Sequence, residues 1–208
     1  ETLFELAKDL NRLQTTGEVL RRIGATVFET LPTASHFSVC VLAADGAFEP
    51  HFGMLRGGEE LAAAEIKVSR SMLGSMAARH MAVLYRPGES PGALGASMVL
   101  QNVASAMAVP LHGARGPLGV ILVDNRSSEA PFCEADLNLM IVLASSAASA
   151  LERARFEAEI QRMFNGFVEA SVTAIESRDP ATSGHSRRVA DYTLALALAA
   201  NRSRSPLL

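Results

Sequence analysis

The sequence predicts an α+β fold in which an antiparallel sheet of five to six strands is flanked by helices and followed by a long helix. Three observations support this prediction. Helical spacing of apolar residues opens the chain, several short strand-like segments with turns and a helix between them follow from His36 to Val123, and a helical pattern then runs from near Glu134 with no proline until Pro180. A run of strands set between helical segments is typical of the α+β class.

Two amphipathic helices are predicted at the start of the chain. Thr2 and Glu5 have the spacing of a capping box, in which each side chain accepts a hydrogen bond from the other residue's backbone amide. Thr15 and Glu18 repeat this spacing. Pro32 is expected to end the second helix, because proline lacks the amide N–H that a helix interior requires.

The first two strands are predicted to form a hairpin. Alternation over residues 36–42 indicates the first strand, and residues 48–54 indicate the second. Asp45-Gly46 lies between them and predicts a type I′ turn, which needs positive φ at both central residues. Pro50 places the second strand at an edge of the sheet, because proline cannot donate a hydrogen bond to a neighbouring strand.

The middle of the chain is predicted to contain two short strands with a helix between them. Residues 66–68 are apolar enough for the first of these strands. Ser69 then has the position of an N-cap for a helix over residues 72–76. Residues 81–85 indicate the second short strand, and residues 86–96 are rich in glycine, proline and serine, which predicts a loop.

The last two strands are predicted to be well buried. Met107, Val109 and Leu111 alternate with their neighbours, and residues 113–117 have the composition of a turn. Residues 118–123 are almost all apolar, which is typical of a central strand covered on both faces.

The long helix that begins near Glu134 is expected to extend beyond the sheet domain. A helical pattern longer than about 25 residues is unusual within one globular domain and indicates a coiled coil or a connector. A charged stretch, residues 152–159, separates two apolar stripes, and Gly166 is a possible break.

Composition narrows the function classes. The chain is 49% hydrophobic and 20% charged with a net charge of −3, which argues against a nucleic-acid-binding surface built on positive charge. No apolar run of membrane-spanning length and no signal peptide are apparent. Cys40 and Cys133 are not part of a Cys-x-x-Cys pair, so we expect two unpaired thiols and a cytoplasmic location.

The predicted sheet and the helix after it contain a recognisable set of segments: residues 106–111, 118–125, Phe132, Asp136-Leu137 and the alanine-rich helix that ends in Leu151-Glu152-Arg153-Ala154. These segments resemble GAF domains, which are sensory domains. The resemblance covers residues 1–155. It implies that one face of the sheet carries the N- and C-terminal helices and that the other face holds a small-molecule pocket.

By this resemblance, the pocket is expected near seven residues: Cys40, Ser69, Met72, Met76, Ser97, Met98 and Asn102. The alternative interpretation of the three methionines is ordinary core packing, because methionine fills irregular gaps. The four histidines at positions 36, 51, 80 and 112 are interpreted as surface or core residues.

The sequence does not identify the ligand of the GAF-like domain. Asn125-Arg126, Phe132 and Asp136 match part of a pattern found in GAF domains that bind cyclic nucleotides. Arginine replaces the lysine of that pattern, and Leu137 replaces its glutamate. No cysteine or histidine has a context typical of a haem or bilin site, so the effector remains an unidentified small molecule.

Residues 174–190 are similar to the start of HD-GYP domains, metal-dependent phosphohydrolases that hydrolyse cyclic di-GMP. The resemblance implies that His185 is a ligand of a divalent metal, Fe or Mn, and that Asp179 and Arg188 support the loop and the helix start. Several ligands are needed for a catalytic metal, and no further histidine follows His185. The matching residues are Ile175, Glu176, Arg178, Asp179, Pro180, Thr182, Gly184, His185, Arg188 and Val189.

The sequence therefore predicts three segments: a GAF-like sensory domain (1–155), a connector helix (156–178) and the start of an HD-GYP-like domain (179–208). One hypothesis is a sensory and regulatory module that binds a small-molecule effector and forms a homodimer through its N-terminal and long C-terminal helices. A second is that the chain is part of a phosphohydrolase that is active only as a longer parent protein. A third is a dimerisation scaffold with an empty pocket.

Overall fold

The computed structural model describes residues 10, 15–69, 72–74, 76, 81–86, 88, 102–126, 130–177 and 184–202. The chain divides into two compact units, Glu1–Glu157 and Ala158–Leu208. The first predicted helix lies outside the described residues except for Leu10, which is buried in the core of the first unit.

The first described helix, α1 (Thr16–Thr30), begins at the predicted capping box. Thr15 Oγ1 accepts a hydrogen bond from the Glu18 amide at 3.3 Å, and Glu18 Oε2 accepts one from the Thr15 amide at 3.1 Å. The helix ends before Pro32, as predicted. Both ends of α1 are therefore set by residues within a few positions of them.

A residue far from α1 in the chain also stabilises the C-terminal end of this helix. The Arg56 guanidinium donates hydrogen bonds to the carbonyl oxygens of Phe28, Leu31 and Ala34, and it lies over the Phe28 ring, 5.2 Å from the centroid. A cation at this position satisfies carbonyl groups that have no partner within the helix and interacts favourably with the helix dipole.

A six-stranded antiparallel sheet forms the centre of the first unit, which confirms the predicted fold class. The strands are β1 (His36–Leu42), β2 (Phe48–Leu55), β3 (Glu60–Leu61), β4 (Val83–Tyr85), β5 (Ser105–Gly113) and β6 (Gly116–Asn125). Their spatial order is β3-β2-β1-β6-β5-β4, so the apolar strand β6 is central, as predicted.

The predicted strand at residues 66–68 is wrong. The short strand β3 lies a few residues earlier and pairs with Gly53 and Met54 of β2. Ile66 is buried instead of paired, and a β-carbon at Gly53 would lie 2.9 Å from its Cγ1 atom. The prediction that β2 is an edge strand is also wrong, because β3 lies outside it. β3 is short, however, and no described strand pairs with Pro50 on that side.

The predicted type I′ turn between β1 and β2 is also wrong. Of its two central residues, only Gly46 has a positive φ, at 84°. Asp45 Oδ1 accepts a hydrogen bond from the Ala47 amide at 2.9 Å, and the Ala43 amide donates to the Ala47 carbonyl at 2.8 Å. The result is a longer hairpin loop in which glycine alone takes the left-handed conformation.

The main core lies between one face of the sheet and two helices. Helix α1 and the first part of α2 (Glu134–Glu176) both bury their apolar sides there. The buried residues include Val19, Ile23 and Val27 of α1, Phe37, Val39, Met107, Val109, Ile121 and Val123 of the sheet, and Met140, Leu143, Ala147 and Leu151 of α2.

Helix α2 is continuous over 43 residues, so Gly166 does not break it. Among the described residues, α2 alone is long and apolar enough to cross a membrane by length and composition. This is weak evidence for a span, because 44% of its most apolar stretch is buried in the protein.

The second unit contains the end of α2 and helix α3 (His185–Arg202). Its large apolar side chains are exposed along both helices. They are Ile160, Met163, Phe164, Phe167, Val168 and Ile175 of α2, and Val189, Tyr192, Leu194, Leu196 and Leu198 of α3.

Candidate ligand pocket and the start of α3

The face of the sheet opposite α1 and α2 carries a second set of inward-facing residues. The pairing of β1 with β6 aligns His36 with Asp124, Ser38 with Leu122 and Cys40 with Val120. Successive residues of a strand point to opposite faces, so these six side chains share one face. Ala106 and Ala108 of β5 continue the row, and their small side chains leave space above the centre of the sheet.

A segment after β3 covers part of this face. Ser69 and Met72 are buried, and Ser69 Oγ accepts a hydrogen bond from the Met72 amide at 3.3 Å, as expected for the predicted N-cap. Met72 and Met76 pack with Val103 and the sheet in a second apolar cluster that also contains Cys40, Val83, Tyr85, Ala106, Ala108 and Val120.

The open end of the face is polar. His36 Nδ1 lies 2.9 Å from Asp124 Oδ1, and Arg126 Nε lies 3.6 Å from the same oxygen. The two atoms of the histidine–aspartate pair are enclosed, yet the ring does not direct a hydrogen bond at the carboxylate, and no other described group supplies one. Buried polar atoms usually have directed partners, so a ligand that hydrogen-bonds to this histidine–aspartate pair would add directed contacts that the described residues do not supply.

Two adjoining cavities meet at the polar end of the face. The first has a volume of about 30 Å³ and is lined by groups that include Ser69, Met72, Val103 and Ala106. The second has a volume of about 200 Å³ and extends toward Leu61, Ile66 and Arg126. Four residues line both cavities: His36, Ser38, Lys67 and Asp124.

The structure brings only some of the predicted pocket residues together. Ser69 and Met72 line the smaller cavity. Cys40 lies in the second apolar cluster, and Met76 lies both in that cluster and beside a separate cavity at the other end of the face. Asn102 is exposed and has a left-handed φ of 53°. The predicted residues Ser97 and Met98 lie outside the described residues.

Sequence reasoning missed the polar residues of the pocket. The sequence predicts only a surface or core position for His36, and it does not predict that Ser38, Lys67 and Asp124 line a pocket. The alternation of residues 36–42 already placed His36, Ser38 and Cys40 on one face. Their pairing with Asp124 depends on the register of two strands that are far apart in the chain.

Cys40 is expected to be chemically inert in the folded protein. Its burial raises the pKa of the thiol from 9.0 to about 11. Between about pH 9 and 11, the unfolded chain releases the thiol proton and the folded protein retains it. The contribution of the buried neutral thiol to stability is therefore complete below about pH 9 and is lost as the pH rises through 11.

The two cysteines should differ strongly in their rate of alkylation. At pH 8, iodoacetamide should label the exposed Cys133 at least about 100-fold faster than Cys40, as peptide mapping can measure. Equal labelling of the two in the folded protein would contradict the burial of Cys40.

A glutamate at the end of α2 holds the start of α3. Glu176 accepts hydrogen bonds from the amides of Gly184 at 2.6 Å and Ser186 at 3.0 Å. These bonds, chiefly those from Ser186, lower the pKa of the Glu176 carboxyl group, and the Arg188 charge lowers it slightly further. Glu176 therefore helps to fix the helix start, the role predicted for Asp179 and Arg188. Asp179 lies outside the described residues.

The described residues do not form a metal site by themselves. His185 is exposed at the first position of α3. No group of three or more histidine, cysteine, aspartate or glutamate side chains comes together in the described part of the chain. One imidazole does not hold a catalytic metal, so the described residues do not fit a complete Fe or Mn centre.

A six-stranded antiparallel sheet with helices on one face and a small polar cavity on the other is the arrangement that the resemblance to GAF domains implies. The sequence model of the GAF domain matches residues 55–153. The predicted resemblance to GAF domains is therefore confirmed for this segment, and the predicted bounds of the domain, residues 1–155, stay a prediction. No curated protein matches the chain.

Solved structures show the same fold at low sequence identity. A GAF domain/HD domain protein from Geobacter sulfurreducens is 20% identical, with a TM-score of 0.51 over 71% of this chain and 98% of that chain. The GAF domain of a two-component sensor histidine kinase from Bacillus halodurans is 11% identical, with a TM-score of 0.53 over 70% and 99%. A far-red absorbing protein with bound biliverdin IXa is 11% identical, with a TM-score of 0.58 over 74% and 99%.

Proposed function

We propose that this chain is the sensory and regulatory module of a cytoplasmic signalling protein whose output is a phosphodiesterase that acts on cyclic di-GMP. The GAF domain binds a small polar effector in the cavities that His36, Ser38, Lys67 and Asp124 share. The histidine–aspartate pair is the observation that carries the proposal, because enclosed polar atoms without directed hydrogen bonds are costly unless a ligand or water satisfies them.

Ligand binding is tested by thermal unfolding of the chain with cyclic GMP, cyclic AMP, cyclic di-GMP and a panel of small carboxylates and phosphates. A ligand at 100 times its Kd stabilises the folded state by about 2.7 kcal/mol, which raises the Tm by several degrees. His36→Ala should remove this shift, whereas the exposed control His51→Ala on β2 should retain it.

A panel that never raises the Tm favours the empty-pocket scaffold. That second candidate has its own support, because the smaller cavity, at about 30 Å³, has room for about one water molecule. A Tm shift that survives His36→Ala would place the ligand elsewhere on the protein.

The proposal that the output is a phosphodiesterase rests on the HD-GYP-like residues around His185. The Geobacter sulfurreducens protein, which contains a GAF domain and an HD domain, supports this order of domains. We propose that His185 contributes one ligand to a divalent metal centre completed by residues that follow in a longer protein. In such a protein with Mn²⁺, hydrolysis of cyclic di-GMP should fall at least about 100-fold on His185→Ala. Hydrolysis that is unaffected by this change would exclude the metal-ligand role.

We propose that the module forms a homodimer through the exposed apolar side chains of α2. Phe164 and Phe167 of α2 are 59% and 71% exposed, and the apolar residues around them recur at helical spacing. Large exposed apolar stripes usually mark interaction surfaces. Light scattering should give twice the monomer mass for the chain and the monomer mass for Phe167→Glu. A wild-type chain that stays monomeric at high concentration would contradict the proposed dimer.

A further inference from the structure

The turn between β5 and β6 is attached to helix α2 by a contact that the proposed function does not use. Glu152 Oε2 accepts a hydrogen bond from the Ala114 amide at 3.0 Å, and Glu152 Oε1 accepts one from the Arg115 amide at 3.3 Å. Both carboxylate oxygens are therefore engaged by one turn. The turn and the helix residue are far apart in the chain, so the contact is a tertiary one.

Two further features fit the turn to the helix. A β-carbon at Gly113 would lie 3.0 Å from Glu152 Oε1, so glycine at this position gives the carboxylate room to approach. Phe156 lies one helical turn after Glu152 in α2. The Arg115 guanidinium lies 4.2 Å from the centroid of the Phe156 ring, within the range of a cation–π interaction. We call the group of Ala114, Arg115, Glu152 and Phe156 the turn clamp.

The turn clamp joins the strands of the pocket to the helix. β5 carries Ala106 at one end and reaches the turn at the other, and β6 leads from the turn to Leu122 and Asp124. The β5–β6 ladder connects the pocket end of these strands to Ala114 and Arg115, with one irregularity between Leu111 and His112. We therefore expect a displacement of either strand at the pocket to reach the turn.

The clamp differs from the apolar packing between α2 and the sheet. Apolar contacts are non-directional, and small shifts of a helix on a sheet change them little. A carboxylate that accepts two backbone hydrogen bonds fixes both distance and orientation, and charge-assisted bonds are about twice as strong as neutral ones. The directional contact lies at residues 152–156, the last turn of α2 within the first unit, which ends at Glu157.

We infer that the turn clamp is the joint through which a change at the pocket alters helix α2, and that Glu152 is its positioning residue. The inference rests on the proposed sensory function and adds a route to it. An effector that shifts β5 or β6 changes the position of the turn, and the clamp converts this shift into a change in the helix beyond Glu157. Such a route requires a difference in clamp geometry between the two states of the pocket.

The first test is hydrogen exchange in the complete 208-residue chain. Glu152→Ala should speed exchange of the Ala114 and Arg115 amides about tenfold or more, because both lose a charge-assisted partner. Glu152→Gln, which keeps one acceptor oxygen, should give a smaller increase, so the inference stays testable if the alanine variant folds poorly. Glu157→Ala is the matched control, since Glu157 pairs with Arg153 and does not contact the turn. Unchanged turn amides in both Glu152 variants would overturn the inference.

The second test asks whether the clamp transmits a change at the pocket. Ala106→Leu adds side-chain volume at the smaller cavity and so mimics the effect of a bound effector. The test therefore needs no ligand. It should change amide exchange of α2 after Glu157 at least about threefold in the native background and clearly less in the Glu152→Gln background. The proposed role of the turn clamp would be refuted if exchange in α2 did not change in the native background, or if it changed equally in both backgrounds.

Failure of this inference and failure of the proposed ligand binding are distinguishable. A pocket that never binds a ligand leaves the response to Ala106→Leu intact. Conversely, a broken route from the pocket to α2 leaves the ligand-induced Tm shift unchanged, because that shift depends only on affinity for the folded state.

Discussion

Gly119→Ala is expected to lower the free energy of unfolding by about 3 kcal/mol or more, or to prevent folding altogether. A β-carbon at Gly119 of the central strand β6 would lie 2.1 Å from the Cys40 carbonyl oxygen of β1. The conflict is with backbone, so no side-chain rotation relieves it. The two strands must separate, which weakens the β1–β6 ladder that joins the two halves of the sheet.

Urea unfolding followed by circular dichroism measures this loss, and Gly166→Ala is the matched control. Gly166 lies in α2, where a β-carbon would meet nothing within 4 Å. Because alanine favours helix more than glycine does, the control should be stabilised by about 0.5–1 kcal/mol. A Gly119→Ala protein as stable as the native one would mean that β1 and β6 are not in the register described above.

Phe37→Ala is expected to cost about 3–5 kcal/mol. Phe37 is fully buried on the helix side of β1, and its ring packs edge-on against Phe52 with the centroids 6.3 Å apart. A β-carbon at Gly24 of α1 would lie 3.0 Å from Phe37 Cδ1, so helix and ring are in close contact. Truncation leaves a cavity where α1 meets the sheet, and close packing prevents the surroundings from filling it.

Graded substitutions at position 37 separate cavity formation from other effects. Phe37→Leu keeps most of the volume and should cost clearly less than the alanine variant. His51→Ala, at an exposed site on the neighbouring strand, should change stability by no more than about 0.5 kcal/mol. A cost for Phe37→Ala as small as that for His51→Ala would contradict the central position of Phe37 in the core.

Predictions that depend on neighbouring residues were confirmed. The capping box at Thr15 and Glu18 and the end of α1 before Pro32 need only contacts within a few residues. The position of β6 at the centre of the sheet followed from its almost continuous apolar sequence. Such local signals also sufficed for the fold class and for the resemblance to GAF domains.

Predictions that depend on distant partners were incomplete. The apolar residues 66–68 satisfied the pattern of a strand, but β2 pairs with Glu60 and Leu61 instead. The Asp45-Gly46 dipeptide indicated a turn correctly, yet the bond from the Ala47 amide to Asp45 selected a longer loop. For β3, pairing with a distant strand chose between two local solutions. For the loop, the choice lay with a hydrogen bond between residues two positions apart, so the dipeptide alone did not determine the turn type.

Local patterns in the sequence were enough to predict the α+β class, the start and end of α1, the central place of β6 and the resemblance to GAF domains, because periodicity and capping act over a few residues. Only the tertiary structure brought His36 beside Asp124, Arg56 to the end of α1 and Glu152 to the β5–β6 turn. These contacts join residues that are far apart in the chain, and strand register and helix packing determine which of them meet.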